Sequence, residues 1–149
     1  MYFMKKSQGF TMVELLVVMT IIAILVGISL VSFDNIRKSA RDGKRKADLE
    51  SVRSALEIYR TDCKTYPTDS EIIFDGNSTL TGPADNAYCA NVEYIAKVPS
   101  DTSPNAYYYK KISANSYILC AHLENSTALA VVACGSNCGG TCNHAVYNP

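Results

Sequence analysis

The sequence predicts an α+β protein: one long N-terminal helix, apolar in its first half and amphipathic in its second, packed on a small antiparallel sheet. Three observations carry this reading. Residues 10–33 form a nearly uninterrupted apolar run, and apolar residues continue at helical spacing to about Asp62. Ala106 to Ile112, Ser116 to His122 and Ala128 to Ala133 are short runs rich in Tyr, Ile, Leu and Val, bounded by turn residues, and read as three strands. All six cysteines (Cys63, Cys89, Cys120, Cys134, Cys138 and Cys142) lie beyond the helix.

The apolar run comes first. From Leu15 to Phe33 no side chain is charged, and only Thr20, Ser29 and Ser32 are polar. The run from Phe10 to Phe33 makes a helix of roughly 36 Å at about 1.5 Å per residue. A hydrocarbon core of about 30 Å needs about 20 such residues, so the run can span a membrane with some tilt. A plain anchor would not need Glu14. A carboxylate at mid-membrane costs about 2.5–3.5 kcal/mol, less near the edge, and is seldom kept without a partner.

Past Phe33 the helical pattern continues through Ile36, Ala40, Ala47, Val52, Ala55, Leu56 and Tyr59. Glu50–Arg53 and Glu57–Arg60 add acid-first pairs three residues apart. A stripe so narrow and alanine-rich needs a sheet to cover it, so this half is expected to lie against the head. Tyr66-Pro67 stops the helix, because the residue before a proline avoids the helical region. Thr68 to Ala87 reads as loop, and Ala90 to Lys97 as a short helix or strand. Ser113-Ala114-Asn115 and Glu124-Asn125-Ser126 read as hairpin turns, and the chain from Gly135 as a glycine-rich tail stapled by cysteines.

Charge is balanced overall and uneven locally. Residues 34–62 carry eight basic and six acidic side chains, whereas residues 63–149 carry four basic and seven acidic. The head is mildly acidic, and nothing global marks a nucleic-acid binder. Six cysteines confined to one small domain read as disulfides formed outside the cytoplasm. Many connectivities are open. Cys134, Cys138 and Cys142 with His144 have spacings within the range of structural zinc, but disulfides are the expectation and no metal or cofactor is assigned. The basic run Arg37, Lys38, Arg41, Lys44, Arg45, Lys46 could meet lipid headgroups, an acidic neighbour or DNA phosphates, and a helix leaving a membrane favours headgroups. By charge count alone this flank would be cytoplasmic; the cysteines argue that it is not. Asn77-Ser78-Thr79 and Asn125-Ser126-Thr127 match the glycosylation sequon, a short pattern. No catalytic arrangement is visible: there is no phosphate loop, no nucleophile–base pattern and only two histidines.

Lys5-Lys6-Ser7-Gln8-Gly9 followed by Phe10-Thr11-Met12-Val13-Glu14-Leu15-Leu16 resembles the processing signal of type IV prepilins and type II secretion pseudopilins. The resemblance implies removal of residues 1–9 by a prepilin peptidase cutting between Gly9 and Phe10, methylation of the new Phe10 amine, and an assembly role for Glu14. One turn from the N-terminus, Glu14 could meet the Phe10 amine of a neighbouring subunit, making two costly charges tolerable as a pair. The head is similar to the major pseudopilins: Tyr66-Pro67 near the helix end, and Val98-Pro99-Ser100-Asp101 before Tyr107-Tyr108-Tyr109. It departs from them in lacking Trp-Gly after Asp101, in having no proline between Phe10 and Tyr66, and in its cysteine count. The tail has no ligand-spaced acidic run, so the family's calcium loop is not carried over.

Together these give a leader (1–9), a membrane or filament-core helix (10–33), its amphipathic continuation (34–62) and a disulfide-stapled head (63–149). The expected fold is the pilin fold. The expected function is a structural, non-enzymatic subunit of a type IV pilus-like filament. The alternatives are a type II secretion major pseudopilin and a DNA-capturing competence pilin. Partners implied by the resemblance are copies of the chain, minor pilins, the prepilin peptidase, the inner-membrane assembly platform and, before assembly, membrane lipid. The location implied is the cytoplasmic membrane with the head outside the cytoplasm, then an extracellular or envelope filament.

Overall fold

A computed structural model describes residues 9–148; the leader, with Lys5 and Lys6, lies outside the described residues apart from Gly9. Helix α1 is Met12–Cys63. The chain divides after Arg37 into two compact units.

In the first unit α1 is exposed on every face. Met12, Leu16, Ile22, Leu25 and Ile28 are all at least half exposed. A helix apolar all round does not belong in water. Among the described residues, α1 is the one helix long and apolar enough to cross a membrane. Its polar interruption is managed locally, with Thr20 Oγ1 donating to the Val17 carbonyl at 2.7 Å.

In the second unit α1 docks on the head. The buried apolar positions are Leu49, Val52, Ala55, Leu56, Tyr59 and Cys63, recurring at steps of three and four. Ile36, Ala40 and Ala47, placed on the expected stripe, are exposed, while Leu49, left off it, is fully buried. The helix ends with Lys64 in the left-handed region (φ 63), where its N–H donates to the Arg60 carbonyl at 2.9 Å.

Strands β1 (Leu80–Thr81) and β2 (Glu93–Ile95) form a two-stranded antiparallel ribbon. Strands β3 (Tyr108–Ser113), β4 (Ser116–Ala121) and β5 (His144–Tyr147) form a three-stranded antiparallel sheet in the order β3-β4-β5. Central β4 explains the layering. Tyr117, Leu119 and Ala121 face the core shared with Leu49, Val52, Leu56 and Tyr59. Ile118 and Cys120 face the opposite side, where Cys134, Cys138 and Cys142 cover them. In the tyrosine run, Tyr107 and Tyr109 are buried with the helix, and Tyr108 packs on the cysteine side, as alternation requires.

The expected α+β architecture is therefore present, with three changes of detail. Leu80–Thr81, inside the stretch Thr68 to Ala87 read as loop, is strand β1 because it pairs with β2. Residues 128–133 are not a strand. The position beside β4 belongs to β5, from the tail read as glycine-rich loop. Residues 128–133 instead lead to Cys134, which bonds Cys120 across the sheet. Gly139 (φ +75) lets that tail close on the 104–106 segment, because a Cβ there would strike the Pro104 carbonyl. On the outer edge of the sheet, the Lys111 N–H of β3 donates to Asp69 Oδ1 at 2.6 Å.

Tyrosines stitch head to helix. Tyr107 donates to Asp48 at 2.6 Å, Tyr66 and Tyr117 to Glu57 at 3.0 and 3.1 Å, and Tyr94 to Asp62 at 3.1 Å. Burial, and then its Asp48 bond, pushes the Tyr107 hydroxyl well above its ordinary range. These tyrosines stay protonated donors, so each docks a ring without burying a second charge.

Candidate functional site

Two places carry the chemistry. The first is the start of α1. Gly9 and Phe10 precede the helix, Phe10 is exposed, and Thr11 caps it. Thr11 Oγ1 accepts the Glu14 N–H at 3.3 Å, and the Thr11 carbonyl accepts the Leu15 N–H at 3.2 Å. Thr11-Met12-Val13-Glu14 thus has the threonine-x-x-glutamate pattern of a capping box, and an acid in the first turn suits the helix dipole. The three-residue spacing from Thr11 to Glu14 makes this cap legible in the sequence as well.

The second place is a charged latch that sequence reasoning missed. Arg45, the middle residue of Lys44-Arg45-Lys46, is only 1% exposed. Its Nε donates to Asp101 at 2.7 Å, and its Nη1 donates to Asp42 and to Glu124, both at 2.9 Å. Asp42 also accepts the backbone N–H groups of Glu124 and Asn125, each at 2.9 Å. Arg41 adds a two-point grip on Glu124, with its Nε at 2.7 Å. One turn of α1 therefore holds two loops, the one carrying Val98-Pro99-Ser100-Asp101 and the one after β4. A planar guanidinium suits this task because its fork of donors serves several carboxylates at once. Asp42 and Arg45 extend the stripe of Leu49 and Val52 backward by the same three- and four-residue steps, a signal that could have found them.

The latch sets the charge states. The Arg41 bond, helped by Arg45, holds Glu124 down at about 2. At Asp42 burial pushes upward, but the Asn125 and Glu124 amides with Arg45 outweigh it and the group is lowered. A carboxylate lowered by folding stabilises the fold above its ordinary value of 4.5, and that contribution fades as pH falls toward 2. The thermal midpoint of the detergent-solubilised protein should decline below about pH 5 through Glu124, on top of the slope that the lowered His144 adds below its ordinary value of 6.5. Glu124→Gln should start lower and flatten the decline. The effect stays modest, because Arg41 is 46% exposed and solvent screens that pair. Circular-dichroism melts of both proteins from neutral pH to pH 2.5 check this, and parallel curves would reject it.

The basic run is consequently not one exposed patch. Arg45 is buried and Arg41 is committed to Glu124, while Lys44 lies 3.9 Å from Asp48 and stays mostly exposed. A DNA-binding reading that uses all six cations loses its central one.

The cysteines pair as Cys63–Cys89, Cys120–Cys134 and Cys138–Cys142. The first ties the end of α1 to the loop before β2; the other two lie in the layer behind β4. Among the described residues no group of three or more His, Cys, Asp or Glu side chains is placed to hold a metal. His144 is kept below its ordinary value by burial and then by the Lys46 charge. His122 lies just past β4, with Nδ1 2.8 Å from the Thr141 carbonyl.

Known proteins resemble the chain over these same regions. A model of the prokaryotic N-terminal methylation motif matches residues 4–30, and a model of type II secretion system (T2SS), protein G, matches residues 33–121. Type II secretion system core protein G of Vibrio cholerae serotype O1 is 29% identical over 106 residues, covering 71% of this chain and 72% of that protein. The protein of the same name from Escherichia coli K12 is 29% identical over 105 residues, covering 68% and 70%. That of Aeromonas hydrophila is 28% identical over 105 residues, covering 69% and 72%. No solved structure gives a significant match.

Proposed function

Because this chain belongs to the type II secretion system protein G family, we propose that it is a pseudopilin, the repeating subunit of a short envelope filament that drives secretion. Its role is structural and not enzymatic. The sequence alone places a type IV pilus-like filament subunit first, with the secretion pseudopilin and a DNA-binding competence pilin as alternatives; the protein G match favours the secretion pseudopilin. That match carries the reading. It covers the docked half of α1, the Val98–Asp101 segment and β4, and so includes Asp42, Arg45 and Asp101 of the latch.

In this reading a prepilin peptidase cuts between Gly9 and Phe10, and the Phe10 amine is methylated. The apolar half of α1 holds the processed subunit in the membrane with the head outside the cytoplasm. Assembly removes that helix from lipid and packs it among copies of itself at the filament base. The Glu14 carboxylate pairs with the Phe10 amine of a neighbour and so sets the axial step. The assembly platform, minor pseudopilins and lipid are the remaining partners. The domain boundaries expected above follow the same sequence of events: leader, core helix, docked helix, head.

Two measurements on the same cells test this. Intact mass of the membrane-extracted protein should lack residues 1–9 and carry one added methyl group. Deleting the gene in its host should trap exported enzymes inside the envelope and leave surface pili intact. Lost surface pili with normal secretion would return the chain to the pilus reading. A retained leader in cells containing a prepilin peptidase would sink both.

A further inference from the structure

The loop 128–133, Ala-Leu-Ala-Val-Val-Ala, is six consecutive apolar residues, all exposed except Val131, which is half-buried against the cysteine layer. Leu129 is 91% exposed and Val132 94% exposed. Single exposed apolar side chains are ordinary, but an unbroken run of this kind marks a surface that something covers. The loop is also held out at both ends. On one side, the Glu124 and Asn125 N–H groups are fixed on Asp42, and Asn125 Nδ2 donates to Ser39 at 3.0 Å. On the other, the Val131 N–H donates to the Cys142 carbonyl at 2.7 Å, and Cys134 is bonded to Cys120.

We infer that this loop is a second membrane contact, a short apolar foot that rests in the interface of an anionic lipid surface while the subunit awaits assembly. The inference rests on the membrane-anchored reading given above. Connectivity and charge select lipid as the occupant. Ser39 follows Phe33, the end of the apolar run, by six residues. The bond from Asn125 to Ser39 therefore ties the base of the loop to α1 at a point close in sequence to the end of the apolar run. Beside it stands a cation that the latch does not consume: Lys46 is exposed and lines the same polar groove as Ala128. Apolar side chains that enter the acyl boundary, beside a lysine that meets anionic headgroups, are the composition of an interfacial contact. The basic flank that contradicts the charge rule for membrane orientation thereby gains a role on the outer leaflet.

The chain contains no tryptophan, so single-tryptophan variants report position directly. Full-length Ile22→Trp, Leu129→Trp and Tyr88→Trp would be reconstituted into phosphatidylcholine–phosphatidylglycerol vesicles with and without brominated acyl chains. Tyr88 is 78% exposed on a different loop and serves as the head reference. Leu129→Trp should emit to the blue of Tyr88→Trp, be quenched by bromine as Ile22→Trp is, and lose part of that quenching at high salt. Val132→Trp repeats the measurement should Leu129→Trp misfold. Quenching of Ile22→Trp alone, with Leu129→Trp as water-exposed as Tyr88→Trp, overturns the inference and leaves the anchor standing. A blue shift without quenching that disappears on dilution would assign the loop to a second copy of the chain and also overturn it. An unquenched Ile22→Trp removes the anchor and this inference with it.

Discussion

Arg45→Ala should destabilise the head by about 3–5 kcal/mol, the usual cost of removing one partner from a buried ion cluster. Three carboxylates, Asp42, Asp101 and Glu124, converge on this one guanidinium. Without it they face one another with little solvent to screen them. Against a total stability of roughly 5–15 kcal/mol the loss is severe, and at about 4–8 °C per kcal/mol the melting point should fall by more than about 10 °C. Arg45→Lys should recover only part, because an ammonium cannot serve three carboxylates from a planar fork. The damage should also be local first: the loops around Asp101 and Glu124 should become protease-sensitive before the sheet melts. Asp101→Asn added to Arg45→Ala should cost little more than Arg45→Ala alone, and with the Asp101→Asn single variant completes a double-mutant cycle that gives the coupling energy. An Arg45→Ala protein that melts within a degree or two of the parent would show that the cluster is spectator chemistry.

Glu14 carries the second large effect, and the capping geometry makes the experiment sharper. Two accounts compete for this residue. In one, its charge pairs with the Phe10 amine of another subunit; in the other, it serves the first turn of its own helix beside Thr11. Glu14→Ala removes both contributions, whereas Glu14→Gln removes the charge and keeps a side chain suited to a capping box. If intersubunit pairing is the main role, both variants should be inserted and cleaved normally, and both should lose filaments at least about tenfold, a deficit of only some 1.4 kcal/mol per added subunit. Removing a charge that costs about 2.5–3.5 kcal/mol at mid-membrane should if anything ease the monomer into lipid. Filaments from Glu14→Gln at the parental level, with none from Glu14→Ala, would transfer the role to capping. Sheared-filament yield, membrane content and N-terminal mass from the same cells separate the outcomes.

The long helix was legible because an uncharged run and a helical apolar period both leave direct marks in sequence. Which face of it docks was legible only in part. Val52, Leu56 and Tyr59 announce themselves, but Arg45 hides between Lys44 and Lys46, where composition says solvent. Only its three-residue step from Asp42 and four-residue step to Leu49 say otherwise. The tertiary partners that make burial tolerable, Asp101 and Glu124, lie 56 and 79 residues away, and no local pattern connects them. The sheet failed for a related reason. Residues 128–133 have the apolar content of a strand, and residues 144–147 follow a glycine-rich stretch; the place beside β4 went to the second because Cys134 draws the first to the opposite face. The start of α1 was legible as a processing signal by resemblance, while its cap was overlooked although Thr11 and Glu14 are three residues apart.

Edge strand β3 carries a last implication. A subunit that works by accumulating in register with copies of itself faces a hazard that a monomeric protein does not. Crowded heads with open strand edges would zip together sideways, and that route ends in amyloid-like aggregate instead of a filament. Here the outward amide of Lys111 is already spent on Asp69, the lysine itself reaches back to the Tyr66 carbonyl at 2.6 Å, and the opposite edge is a strand of only four residues. Such edges offer little template to a stranger. Growth is thereby left to the helix, and the same chain can be packed at high local concentration without choosing the wrong polymer.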